Sequence, residues 1–189
     1  MKWFFLAGVP NTFHTFGAPT VKRNLFEMER YVLNREVFKF KYLPAFADYL
    51  LRNKLEEFVT VGIRFAREVD LPMLKPLAKI PEKELVALSL ESNRQILTAL
   101  KNRTIADFIE SNTANWVENK LGLIDRSEIA IEDLTLAYFL RRKLFSYFLY
   151  GYTQSAPVQQ LIISEVDIYT SQEELISLKA FLHINKSNN

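Results

Sequence analysis

Apolar side chains recur along most of this chain with helical spacing. Leu51, Leu55, Phe58, Gly62, Phe65 and Val69 alternate steps of four and three, which puts them on one face of a helix. Pro44 suits the first turn of that helix, which is predicted to run to Glu68. An earlier helix is predicted over Leu25–Tyr42. Asp70-Leu71-Pro72 ends the second helix, and a short helical turn is expected around Pro72–Ala78. Pro81 opens the next, with Glu82 and Glu84 near the positive end of its dipole and Leu85, Leu88, Ser92, Ile96 and Ala99 inward.

Thr104 is a good N-cap, and the helix after it carries Ile105, Phe108, Ile109, Trp116 and Val117 before Gly122 stops it. A loop through Ile124–Ser127 leads to a helix over Ile129–Tyr150 that is apolar nearly all round, as a central helix is. Gly151 is expected to end it. Ser155 and Pro157 start the last helix, predicted to reach Asn185. No segment alternates with strand period. The expectation is an all-α bundle of six to seven helices, built from residues 27–189. Residues 1–26 are interrupted by Gly8, Pro10, Gly17 and Pro19 and show no helical period. They read as a loosely attached extension, with a docking arm as the alternative.

Composition narrows the function classes. Of 189 residues, 49% are hydrophobic and 24% charged, enough for a real core. Lys and Arg total 24 against 22 acids, interleaved, so no nucleic-acid footprint stands out. Cysteine is absent, which excludes thiolate metal sites, disulfides and cysteine nucleophiles. No apolar stretch approaches the roughly 20 residues of a membrane span. Met1–Pro10 lacks a clear signal-peptide cleavage site, and a cytoplasmic location is expected, without membrane or nucleic-acid partners.

Chemistry-bearing groups do not converge. The two histidines, His14 and His183, lie outside the central helices, so a haem or zinc site is not expected. There is no G-x-S-x-G elbow and no glycine-rich phosphate loop. Glu56–Glu57 and Glu173–Glu174 read as solvated faces. No catalytic residue, metal ligand or cofactor is therefore predicted.

Arg141-Arg142-Lys143 interrupts the most apolar helix. The run is read as a solvent stripe with its stems on apolar neighbours. The alternative is a cation that anchors an anionic ligand or pairs with a carboxylate across an interface. A ligand pocket near Trp116, Tyr138 and Arg142 is the rival to a purely regulatory reading. In the last helix Leu161, Ile168, Leu175 and Leu182 recur every seven residues, the spacing of a seam against a partner helix, with Leu178 fitting and Ser164 and Ser171 weak.

Leu43-Pro44-Ala45-Phe46-Ala47-Asp48-Tyr49-Leu50 with Glu57-Phe58-Val59 resembles the start of a helical domain that precedes PAS and histidine-kinase modules in many bacteria. Trp116–Leu121, Ile124-Asp125-Arg126 and Glu132–Leu136 are similar to the same family. Those domains resemble in turn the haem-free globin-like domains of stressosome proteins. The likeness runs from Leu43 to Leu182. It implies a globin-like sensory domain, a homodimer, and a signal passed along the C-terminal helix to a downstream signalling protein or kinase module. It carries over no catalytic residues. The chain departs from that pattern at its end: no kinase core follows, and the residues around His183 do not resemble a phosphoacceptor box.

Overall fold

Helix termini, not strand edges, organise this molecule. The computed structural model describes residues 33–69, 81–117 and 130–187. Among them are one 3-10 turn, Arg35–Phe38, and six α-helices: α1 (Leu43–Asn53), α2 (Leu55–Glu68), α3 (Glu82–Lys101), α4 (Ile105–Val117), α5 (Ile131–Tyr152) and α6 (Ala156–Ser187). The all-α expectation holds, and no strand occurs among the described residues.

The start of α1 shows how distant sequence completes a local element. Tyr42 offers no side-chain cap. Instead Glu165, far along α6, accepts hydrogen bonds from the backbone N–H groups of Lys41, Tyr42 and Leu43 at 2.8, 2.9 and 2.6 Å. One carboxylate thus answers orphan donors at the positive end of a helix. The segment before it is not the helix predicted over Leu25–Tyr42. Leu33, Phe38 and Phe40 are all buried, and a continuous helix would turn Phe38 and Phe40 about 200° apart. The chain instead leaves the 3-10 turn through a short irregular stretch that bends at Lys41 and Tyr42. Glu110 of α4 holds its other end through the Leu33 N–H at 3.2 Å and the Arg35 guanidinium at 2.8 Å. Residues 1–32 lie outside the described ones.

The single helix predicted from Pro44 to Glu68 is two. At Lys54 the backbone turns to φ −137°, ψ 5°, while its N–H still reaches Leu50 O and its carbonyl still accepts from Phe58. The break lets two apolar stripes face different partners: α1 packs chiefly on α3, and α2 on α5 and α3. Val69, predicted to continue the stripe, is exposed.

Between α3 and α4, Arg103 adopts φ 60° and the Thr104 N–H bonds back to Ala99 O at 2.9 Å. This is a left-handed helix stop carried by a non-glycine residue. On α3, Leu85 and Leu88 are half-buried and pack against the core, and Ser92, Ile96 and Ala99 are buried, as expected. The turn expected over Pro72–Ala78, the Gly122 stop and the loop at 124–127 fall outside the described residues.

The core centres on α5. Phe145 meets Phe46, Phe58 and Tyr169 with ring centroids 6.2, 5.3 and 6.2 Å apart. That makes it the hub of α1, α2 and α6. Gly151, expected to end α5, lies inside it, since the helix ends at Tyr152; apolar side chains face outward as well as inward, with Phe139, Tyr147 and Tyr150 exposed. α5 and α6 lie against each other as a hairpin, and α4 packs on α6. At 32 residues, α6 is about 48 Å long. No helix among the described residues is long and apolar enough to cross a membrane.

Removing the Glu165 carboxylate leaves three donors at the α1 start to water. Glu165→Ala is expected to lower stability by about 2 kcal/mol in urea unfolding, from the loss of charge-assisted bonds. Glu36→Ala, at an exposed ion pair with Lys39, is expected to change it by less than about 0.5 kcal/mol.

Candidate functional site

The α5–α6 hairpin holds the most unusual chemistry among the described residues. α6 buries Ile162, Val166, Tyr169, Glu173, Ile176 and Ala180, in steps of four and three. A carboxylate therefore sits in the middle of an apolar stripe. α5 answers it with Arg141, 4% exposed against 1% for Glu173. The Arg141 guanidinium pairs with the Glu173 carboxylate and donates to Tyr169 Oη at 2.9 Å. It lies over the Tyr138 and Tyr169 rings at 5.6 and 6.0 Å. Ser177 donates to the Glu173 carbonyl and shares a 2.7 Å hydrogen bond with Tyr138 Oη.

The electrostatics follow from burial. Desolvation, the largest influence on Arg141, would favour its neutral form. The attraction of Glu173, then of the two tyrosines, outweighs it, and the guanidinium is held above its ordinary value. Burial pushes both the Tyr138 and Tyr169 phenols well above the usual tyrosine range. Each stays protonated and acts as a hydrogen-bonding group.

A second tier lies at the solvent edge. Arg142 donates to Thr170 Oγ1 at 2.8 Å, Ser171 Oγ at 3.0 Å and Glu174 at 2.9 Å, and stands 3.8 Å from Asp167. Lys143 lies over the Phe65 ring at 4.2 Å. The reading of 141–143 as a solvent stripe is thus corrected: Arg141 and Arg142 point at α6, and Lys143 alone is exposed. Glu173 and Glu174 are likewise no solvated face. The pull of paired carboxylates on α6 overrides the tendency of charge to seek water.

The three predicted ligand residues lie on two helices, Trp116 on α4 and Tyr138 and Arg142 on α5. Trp116 is buried on α4. Tyr138 faces the core and Ser177, while Arg142, one turn on, faces the α6 acids. A void of about 10 Å³ lies beside Gly62, Asn93, Arg141 and Phe145, room for about one water. A surface groove of about 410 Å³ is lined by Thr60, Ile63, Arg64, Arg67, Glu68, Glu82 and Val86. Neither includes Trp116, Tyr138 or Arg142. Among the described residues, the buried Ser89 Oγ, Ser92 Oγ, Asn112 Nδ2 and Thr113 Oγ1 lack a hydrogen-bond partner. Among the described residues no group of three or more potential ligands is placed to hold a metal ion.

The heptad residues tell a different story. Leu161, Ile168, Leu175 and Leu182 are 44%, 39%, 47% and 50% exposed. All four lie on the side of α6 turned away from the bundle, whose buried stripe is a separate set. Ser164 and Ser171, between them, are exposed as well. Compared with protein-family models, with curated proteins and with solved structures, the chain finds no match in any of the three.

Leaving one member of the buried pair alone is costly. Glu173→Ala is expected to destabilise by about 3–5 kcal/mol in denaturant unfolding. Alkali gives a second check. With both phenols raised in the folded state, stability is intact below the unfolded tyrosine value near 10 and falls as pH climbs above it. Absorbance titration should show two of the eight tyrosines ionising only as the chain unfolds; eight phenols ionising together in folded protein would contradict the burial.

Proposed function

We propose that this chain is a non-enzymatic regulatory module of bacterial signal transduction, of the haem-free globin-like sensory kind. It works as a homodimer, in the cytoplasm, and passes its signal along α6 to a downstream signalling protein or kinase module. One observation carries the reading. The longest helix buries one stripe in its own bundle and presents a second, strictly heptad-spaced apolar stripe to solvent. A stripe that served only the fold would face the core. One kept outward at seven-residue intervals has the spacing that a partner helix reads.

The ionic node supports the relay. Arg141, Tyr138 and Arg142 tie α5 to about three successive turns of α6, from Asp167 to Ser177. Movement of the core helices would reach α6 through these bonds, and Glu165 links the same helix to the start of α1. A shift in helix packing then biases the outward stripe, the population-shift form of regulation. The absence of cysteine and the separation of the two histidines in sequence leave little for bond-making chemistry, and they suit a protein that signals by packing.

Multi-angle light scattering should give a dimer mass at micromolar concentration. Replacing Ile168 and Leu175 together by Glu is expected to weaken the dimer by at least about a hundredfold, roughly 3 kcal/mol, with the helical circular dichroism of the monomer kept. A native chain that stays monomeric at high concentration refutes the dimeric module.

A further inference from the structure

Resting on that reading, we infer that the outward face of α6 takes a second copy of this chain, with the two α6 helices parallel and in register. Leu161, Ile168, Leu175 and Leu182 occupy one position of the heptad, and Ser164, Ser171 and Leu178 the companion position. In a parallel, in-register pair each position meets itself. Leucine or isoleucine then faces its twin in four layers, and the small serines meet each other, where two hydroxyls can bond. An antiparallel pair packs one position against the other. Setting Leu161 against Leu178 of the second copy places Ile168 on Ser171 and Leu175 on Ser164. Sliding by a heptad in either direction leaves serine opposite leucine or isoleucine in two layers again. The serines therefore penalise the reversed orientation, a specificity device of the kind that a polar seam residue supplies.

Charge around the stripe selects a like partner over a basic one. The acids beside it are already engaged within the chain. Glu165 holds three backbone N–H groups of the α1 start, and Glu174 is paired with Arg142, which also approaches Asp167. What faces outward is close to neutral and apolar, so a cationic helix gains little from it. Lys179 lies five residues after Glu174 on the opposite flank, the offset at which flanking charges of parallel helices meet, so in the parallel pair it would add to the contact that Glu174 already makes with Arg142. The two-fold axis would form this contact twice. The seam spans 22 residues, about 31 Å between its end positions, which matches a stable helix pair rather than a glancing contact.

The chain lacks cysteine, so single-cysteine variants report without background. Leu161→Cys, Ile168→Cys, Leu175→Cys and Leu182→Cys replace exposed side chains, and their fold is checked by circular dichroism. Treated with a short thiol-to-thiol cross-linker, each of the four should link to itself, while Thr60→Cys on α2 should not. A mixture of Leu161→Cys and Leu182→Cys proteins should give no mixed product. Efficient mixed linking of 161 to 182, with self-linking lost at those two positions, would establish the antiparallel arrangement and overturn the inference. A dimer by light scattering with no cross-links along the stripe also overturns it, yet leaves the dimeric module standing. A monomer by light scattering removes both.

Discussion

A buried ion pair sets the terms for this fold. Taking Arg141 and Glu173 out of water costs several kcal/mol per ion, and their attraction offsets that only in good geometry with further hydrogen bonds. Tyr169 supplies such a bond to the guanidinium, and one turn away Ser177, bonded to Tyr138 and to the Glu173 main-chain carbonyl, ties α5 to the same stretch of α6. A slide of α6 by one turn would place Tyr169 or Ser177 opposite Arg141 and leave the Glu173 carboxylate buried without its cation. Apolar contacts alone tolerate such slippage; an isolated charge does not. The node fixes how far along, and how far around, α6 lies on α5.

Fixing the rotation of α6 has an outward consequence. With Tyr169, Glu173 and Ser177 held inside, the seven-residue series through Leu161, Ile168, Leu175 and Leu182 is held outside. The same constraint satisfies a buried charge and exposes a docking stripe. Arg142 and the N–H groups at the start of α1 then engage Glu174 and Glu165, the acids at its flanks, from opposite sides. The hairpin's interior and its surface are thus two faces of one arrangement. The helices α1 to α4 complete the core around Phe46, Phe58 and Phe145, and two carboxylates hold the ends of the 33–42 segment between them, Glu110 of α4 at its start and Glu165 of α6 at its end.

Much of the fold was legible in the sequence because helix period is a local signal. The inward faces of α3 and α4, the outward series on α6 and the starts of α3, α4 and α6 follow from spacing and from Pro81, Thr104 and Pro157, whereas the buried stripe of α6, interrupted by Thr170, Glu173 and Ser177, does not. The break at Lys54 was not legible. No proline or glycine marks it, and it arises because α1 and α2 have different partners. The segment over 33–42 also misled: Phe38 and Phe40 look helical beside their neighbours, but the carboxylates that organise the segment lie at Glu110 and Glu165, more than 70 residues away. Local spacing cannot show a cap supplied by a distant helix.

At the candidate site, the heptad series was visible, and its exposure is what gives it meaning. The ionic node was missed because adjacent like charges usually mark solvent. A signal was present: Glu173 stands in the series Ile162, Val166, Tyr169, Ile176 and Ala180, and Arg141 falls three residues after Tyr138 on a helix with few polar positions. The most direct test of the register lock is a distance measured by spin labels on α5 and α6. Cysteines replacing Ser146 and Ser164 are labelled and diluted in unlabelled protein. The native pair should give one narrow distance, and the neutral double variant Arg141→Met, Glu173→Leu should broaden it or add a second population. An equally narrow, unchanged distance in that variant would show that apolar packing alone sets the register, and would contradict the account.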